Sequence, residues 1–213
     1  MFNISGPYAV GKDTVLRHLL TTFEGQVHRV RTITTRPVSP EADPSYQQID
    51  REEFERRITV GRWLVNYQLN DAVAYGTSID EVEAEAAAGR VSIHSIFPGS
   101  AGAGALRTAL GERLFSIGMV ATTGSVENQL AELRRRLISR GRDDTATIDA
   151  RLKHQLDPMA FVLQNPSVET PNGWLPVFDQ IVINEHLDET MRSVEDLFSV
   201  TFGLRRTVNA IGS

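Results

Sequence analysis

Cysteine is absent from all 213 residues, which excludes disulfides, a thiolate nucleophile and a zinc–thiolate site. Lysine is almost absent: of 22 basic residues, 2 are lysines and 20 are arginines. No apolar run approaches the roughly 20 residues that cross a bilayer. The opening MFNISGPYAV lacks the basic stretch and long apolar core of a secretory signal. The five histidines are scattered without ligand spacing, and no G-x-S-x-G nucleophile elbow occurs. A net charge of −5 argues against nonspecific binding to nucleic acid. What is present, 41% hydrophobic and 23% charged residues, is the composition of a globular domain able to bury a core. A cytoplasmic enzyme or binding domain is expected, with neither nucleic acid nor membrane as partner.

The pattern alternates between strands and helices. Strands are predicted at Phe2–Ser5, Val27–Ile33, Val91–Ile96, Leu114–Thr122 and Phe178–Ile183. Helical spacing marks Thr14–Phe23, Arg51–Val60, Asp80–Ala88, Glu127–Arg140, Ile148–Leu163 and Leu187–Leu197. A glycine-rich turn at Gly99–Gly104 leads into a helix ending near Leu110. Pro37–Ser45 reads as loop, and Gln164–Leu175 as a polar surface excursion. This order predicts an α/β fold, a parallel five-stranded core sheet with helices on both faces.

One motif carries chemistry by itself. Gly6-Pro-Tyr8-Ala9-Val10-Gly11-Lys12-Asp13-Thr14 follows a short strand and opens a helix, the setting a Walker A phosphate loop requires. Its glycines let backbone N–H groups face a phosphate, the helix N-terminus adds positive dipole, and Lys12 reaches the β- and γ-phosphates. The motif implies ATP as ligand and Mg²⁺ as cofactor. Asp13 stands where Ser or Thr normally ligates the metal. Thr14 could serve instead, or Asp13 could hold the metal's waters.

With these residues in hand, the chain resembles the guanylate kinase family of P-loop phosphotransferases over roughly residues 2–200. The matching segments are Thr32-Ile33-Thr34-Thr35-Arg36, Tyr46 followed by Phe54, Tyr75-Gly76-Thr77, Arg136-Leu137-Ile138-Ser139-Arg140-Gly141, Arg151-Leu152 and Ile183-Asn184. The resemblance implies an acceptor-binding subdomain at 32–85, a lid at 136–150 and a core made of 1–31, 86–135 and 151–203. It implies that Arg36, Tyr46 and Tyr75 hold an acceptor phosphate, that Thr32 and Thr77 face the acceptor's base, and that Asn184 lies near the adenine of ATP. Lys12, Arg136, Arg140 and Arg151 would then stabilise charge on the transferring phosphoryl group. The activity implied is transfer of the γ-phosphoryl of ATP to GMP or a related nucleoside monophosphate.

Four positions depart from that pattern. A second phosphate-binding arginine is replaced by Ser39, a guanine-reading glutamate by Val65, the strand's aspartate by the segment Ile93-His94-Ser95-Ile96, and the hydroxyl after Lys12 by Asp13. Asn66, Asn70 or Asp71 could supply the missing acceptor if the loop is displaced. An aspartate after the lysine, as at Asp13, and the lack of a guanine-reading carboxylate, as at Val65, resemble a related branch, the ribose 1,5-bisphosphate phosphokinases, whose acceptor has no base, and a kinase of another phosphorylated small molecule is the neighbouring alternative. Non-catalytic guanylate kinase-like scaffold modules are the other class considered, and they tend to lose the lysine and lid arginines that stand here. An NTPase switch has no use for the Arg36, Tyr46 and Tyr75 clamp.

Overall fold

A computed structural model describes residues 1–38, 44–69 and 71–207. Five parallel strands form the core sheet: Phe2–Ser5 (β1), Val27–Arg29 (β2), Val91–His94 (β7), Phe115–Val120 (β8) and Gln180–Ile183 (β11), in the spatial order β11-β8-β1-β7-β2. The expected α/β architecture with a five-stranded parallel sheet is therefore observed. Alternation divides its two faces. Phe2, Ile4, Ile93, Ile117 and Met119 join Val15 and Leu19 of the helix Lys12–Thr22 (α1) and Val194 and Phe198 of Leu187–Phe202 (α8). The opposite face carries Asn3, Ser5, Ser92, His94 and Ser116, all buried. Gly118 on this face lets Leu156–Gln164 (α7) approach, since a Cβ there would lie 2.8 Å from the Val162 side chain. Helices thus cover both faces, as right-handed crossovers require.

The polar face is hydrogen-bonded. Asn3 Nδ2 donates to Ser5 Oγ at 3.0 Å and to Ser116 Oγ at 2.9 Å, and Ser5 Oγ donates to the Ile96 carbonyl at 2.8 Å. These bonds offset the desolvation of burying hydroxyls and an amide.

A second, four-stranded sheet holds Thr32–Thr34 (β3), Tyr46–Gln48 (β4), Trp63–Gln68 (β5) and Ala74–Ser78 (β6), in the order β4-β3-β6-β5. The helix Arg51–Thr59 (α2) packs on it through Phe54, whose ring lies 4.6 Å from that of Trp63. Asp50 caps α2 by accepting from Glu53 N at 2.7 Å.

Three expectations are corrected. The strand predicted over Val27–Ile33 is two strands in two sheets. Val30 N still bonds the Ile93 carbonyl at 2.9 Å, while Thr32 N bonds the Ser45 carbonyl at 2.9 Å, so the chain changes partners across Arg31. The helix predicted over Ile148–Leu163 is broken into Thr145–Lys153 (α6) and α7. Pro158 lacks the N–H that would bond the His154 carbonyl in a continuous helix, and is tolerated only in the first turn of a new one. The polar excursion at Gln164–Leu175 contains an antiparallel hairpin, Ser167–Thr170 (β9) with Gly173–Pro176 (β10). Thr170 closes its turn, its hydroxyl donating to the Gly173 carbonyl at 2.7 Å and accepting from Asn172 N. The remaining helices are Ile79–Ala87 (α3), Ala105–Leu110 (α4) and Val126–Arg140 (α5). The glycine-rich segment before α4 winds as one wide π-helical turn, Ser100–Gly104.

Candidate active site

The phosphate loop runs from the C-terminal end of β1 into α1. Its backbone is special at three points. Gly6 passes so close to β8 that a Cβ would lie 2.5 Å from the Met119 carbonyl oxygen. Ala9 has φ +66° and Gly11 φ +105°, both left-handed. Such conformations in a non-glycine residue are strained and mark sites where backbone N–H groups are aimed deliberately. Helix α1 has no side-chain cap, so its first N–H groups stay available to an anion.

Lys12 folds back over this loop, donating from Nζ to the Gly6 and Pro7 carbonyls, each at 2.8 Å. Burial lowers the ammonium's pKa to about 8, against the opposing charge of Asp13. Asp13 itself is exposed on the first turn, and Arg29 of β2 donates to its carboxylate at 3.1 Å. Thr14 lines a neighbouring cavity of about 330 Å³ with Ala9, Gly11, Arg136, Arg140 and Asn184. The residues expected from the motif on the donor side thus share one cavity.

Asn184 ties the loop to the sheet. Its side chain is buried, and Nδ2 donates to the Val10 carbonyl at 2.7 Å. A Cβ on Gly11 would lie 2.5 Å from that same nitrogen, so glycine is needed there for space as well as φ. Asn184 Oδ1 is buried without a hydrogen-bond partner.

The three arginines expected over the phosphoryl group are held differently. Arg136 donates to Glu132 Oε1 at 2.7 Å, to the Ala121 carbonyl at 3.0 Å and to the Asn184 carbonyl. It therefore fastens α5 to the ends of β8 and β11 at the donor cavity. The boundary expected at residue 136 falls inside α5, whose Leu137 is part of the core. Arg140 is exposed at the end of α5 and lines the same cavity. Arg151 lies over the Tyr8 ring, 5.2 Å from its centroid, donates to the Tyr8 hydroxyl at 3.2 Å and pairs with Asp143. Tyr8 thus acts as a bench that sets Arg151 above the phosphate loop.

On the other side of Lys12, a cleft of about 740 Å³ opens. Gly6, Tyr8 and Lys12 line it together with Thr32, Tyr46, Tyr75 and Thr77, so the loop and four of the five expected acceptor residues share one cavity, and Arg36 does not line it. Arg36 stands at the ring of Tyr46, 5.2 Å from its centroid. Ser39 and Asn70 lie outside the described residues. Asn66 and Asp71 are exposed and do not line the cleft.

The inner end of the cleft holds a pair from two sheets. Thr77 Oγ1 of β6 and His94 Nε2 of β7 are 2.9 Å apart, and both residues are buried. Burial lowers the His94 pKa to about 4, with the Val30 backbone hydrogen bond opposing and Arg29 adding to the shift. The ring is neutral at physiological pH. Val65, directly opposite Thr77 in the β5–β6 ladder, is buried with Ile96, Ala103 and Leu106.

Sequence reasoning missed the aromatic wall. Tyr67 stacks on Tyr75 at 5.5 Å between centroids and meets Phe97 at 5.9 Å. Burial, reinforced by the phenols of Tyr46 and Tyr75, pushes the Tyr67 phenol up. The alternation of Val65 and Tyr67 along β5 was the available signal, since it puts Tyr67 on the face of Val65. Gln155 was also missed: its Oε1 accepts from Tyr8 N at 2.7 Å, joining the start of α7 to the phosphate loop.

A strand–loop–helix phosphate site with a lysine within it, a tyrosine-lined cleft on one side and an arginine-lined cavity on the other, define a P-loop phosphotransferase. A family model described as guanylate kinase matches residues 2–201, and the chain belongs to the guanylate kinase family. It is 28% identical over 200 residues to the guanylate kinase of Chlamydia pneumoniae, covering 93% of this chain and 86% of that one. It is 30% identical over 190 residues to that of Latilactobacillus sakei subsp. sakei (strain 23K), covering 86% and 88%. The crystal structure of guanylate kinase from Anaplasma phagocytophilum shares the fold, with a TM-score of 0.64 at 19% identity, over 98% of this chain and 89% of that one. Among the described residues, no helix is long and apolar enough to cross a membrane.

Proposed function

We propose that this protein transfers the γ-phosphoryl group of ATP to the phosphate of GMP. The observation that carries this reading is the shared cleft: Lys12 of the phosphate loop and the Tyr46–Tyr75–Thr77 wall line one cavity, so donor and acceptor phosphates can meet. Phosphoryl transfer needs positioning and neutralisation more than covalent chemistry, and each part here supplies one of these.

In this reading the loop N–H groups and Lys12 bind the donor phosphates. Arg151, held by Tyr8 and Asp143, and Arg140 close on the transferring group, and Arg136 shapes the donor wall. Asn184 Oδ1 offers an acceptor suited to the exocyclic amine of adenine. Arg36, Tyr46 and Tyr75 hold the acceptor phosphate, the arginine by charge-assisted bonds. Residues 32–85 form the acceptor subdomain and the segment that follows α5 the lid, and their closure excludes water from the reacting phosphates.

Mg²⁺ fits the residues present. It keeps most of its water and takes few protein oxygens, and the exposed Asp13 carboxylate with the Thr14 hydroxyl provides these at the first turn of α1. When bound, the ion neutralises charge on the β- and γ-phosphates. The reaction belongs to the cytoplasm, where both nucleotides are found.

The test is ADP release from ATP and Mg²⁺ with GMP, dGMP, AMP, CMP, UMP, dTMP or ribose 1,5-bisphosphate. GMP-dependent release is expected. Release with ribose 1,5-bisphosphate alone, or with no acceptor in the panel, would overturn the reading.

A further inference from the structure

One N–H group of the phosphate loop is already taken. Tyr8 N donates to Gln155 Oε1 at 2.7 Å, across 147 residues of chain. The corner between α6 and α7 puts that oxygen there. Gln155 N donates to the Leu152 carbonyl at 2.9 Å, and the Gln155 carbonyl accepts from Met159 N at 3.0 Å, so the residue closes one helix and opens the next. Its side chain is half-buried against the loop. Arg151, one helical turn earlier, lies over the ring of the same tyrosine and donates to its hydroxyl. Two side chains of one helical corner thus hold Tyr8, one by its backbone and one by its side chain.

The position of Tyr8 decides which phosphate its N–H would meet. Ala9, Gly11 and Thr14 line the donor cavity. Tyr8, Lys12 and Gln155 line the cleft on the acceptor side. The Tyr8 N–H therefore stands where the last phosphate of a triphosphate reaches and a diphosphate ends short. A carboxamide oxygen is a neutral acceptor. An anionic phosphate oxygen makes the stronger bond to the same donor.

We infer that Gln155 is a stand-in for the transferring phosphoryl group: its side-chain oxygen holds the Tyr8 N–H in the empty loop and yields it to the γ-phosphate. This rests on the proposed use of ATP as phosphoryl donor. The swap replaces one hydrogen bond by another, so the N–H is satisfied with and without nucleotide. A triphosphate must displace the carboxamide, and a diphosphate need not. Gln155 therefore weakens the binding of ATP and leaves that of ADP unchanged, a cost of the kind any competing resting state imposes. After transfer the N–H returns to Gln155. The exchange takes place beside Arg151, on the same helical corner. Gln155 is a positioning residue: it acts on the nucleotide through the Tyr8 N–H.

The test titrates the full chain, as wild type, Gln155→Ala and Gln155→Glu, with ADP and with the non-hydrolysable β,γ-imido analogue of ATP, each with Mg²⁺, in a calorimeter. Gln155→Ala removes the competitor and should tighten the triphosphate analogue by about threefold, the net worth of one neutral hydrogen bond, with ADP unchanged. Gln155→Glu puts a charged oxygen on the same N–H and against the γ-phosphate. It should weaken the analogue by at least about tenfold and ADP by no more than about threefold. A change in packing alone would move both nucleotides together and in the same direction for both variants. The contact itself is read from the Tyr8 amide of the nucleotide-free protein, whose hydrogen exchange should speed up about fivefold in Gln155→Ala. Equal shifts for ADP and the analogue, or a Tyr8 amide that exchanges alike in wild type and Gln155→Ala, overturn the inference and leave the proposed function standing. A wild type that binds neither nucleotide overturns both.

Discussion

The donor and acceptor halves of the active site are made from different materials. The donor half is largely backbone: a loop with two left-handed residues, an uncapped helix end, and Asn184 bracing the loop through the Val10 carbonyl. The acceptor half is side chains brought from two sheets, with Thr77 on β6 and His94 on β7. A backbone site is specified by a short contiguous motif and tolerates little change. A side-chain site can be rewritten residue by residue, and of the departures Val65 and His94 fall in that half while Asp13 alone falls in the loop.

This contrast can be broken from either side. The largest effect expected is from Lys12→Ala, which should lower kcat by about a thousandfold, the upper range for one preorganised donor, with the melting temperature little changed. Unaltered turnover in a steady-state assay would remove the loop from the mechanism. In the wild type, kcat/KM for ATP should fall as pH rises through about 8, where the free Lys12 ammonium loses its proton.

In the acceptor half the corresponding lever is His94. Its folded pKa of about 4 lies below the ordinary value of 6.5. The unfolded chain therefore binds the extra proton between these values, and stability present above 6.5 is lost as pH falls through about 4. The loss from this group is about 3 kcal/mol. Urea unfolding at pH 7 and pH 4.5 should show a smaller pH effect in His94→Gln than in the wild type. Equal slopes would mean that the ring is not buried neutral.

Gly11→Ala comes next. It forces a Cβ against Asn184 Nδ2 at φ +105° and should cost about 2 kcal/mol in denaturant unfolding while weakening ATP binding. A comparable loss from the conservative change Thr77→Ser would contradict the division between backbone and side-chain halves. The smallest effect is expected at Tyr8→Leu, which removes the bench under Arg151. It should reduce kcat by about fivefold with little change in KM for the acceptor, since an exposed cation–π contact contributes about 1 kcal/mol.

The same contrast explains what could be read from the sequence. The loop, α1 and the presence of five core strands were legible because glycine, lysine and apolar spacing are local signals. The switch of Val27–Ile33 between sheets was not. Both halves favour extended backbone, and the change is decided by Ile93 and Ser45, which lie elsewhere in the chain. The hairpin at Ser167–Pro176 hid behind polar, turn-rich composition, although Pro171-Asn172 marks its turn. The break before α7 was readable in Pro158. His94 was visible as a departure from the family pattern, but its partner Thr77 is seventeen residues away and on another sheet. Val65 shows the converse: its identity was plain, while its enclosure by Ile96 and Leu106 came only with packing.

Lys12 has a consequence for turnover as well as for transfer. Its ammonium is already satisfied by the Gly6 and Pro7 carbonyls of its own loop. In the proposed reaction nucleotide arrival is therefore an exchange of partners, and nucleotide departure hands the lysine back to the loop without leaving a bare cation in a half-dry site. The loop is a resting place for its own charge, and in the proposed reaction the same atoms stand ready for each ATP in turn.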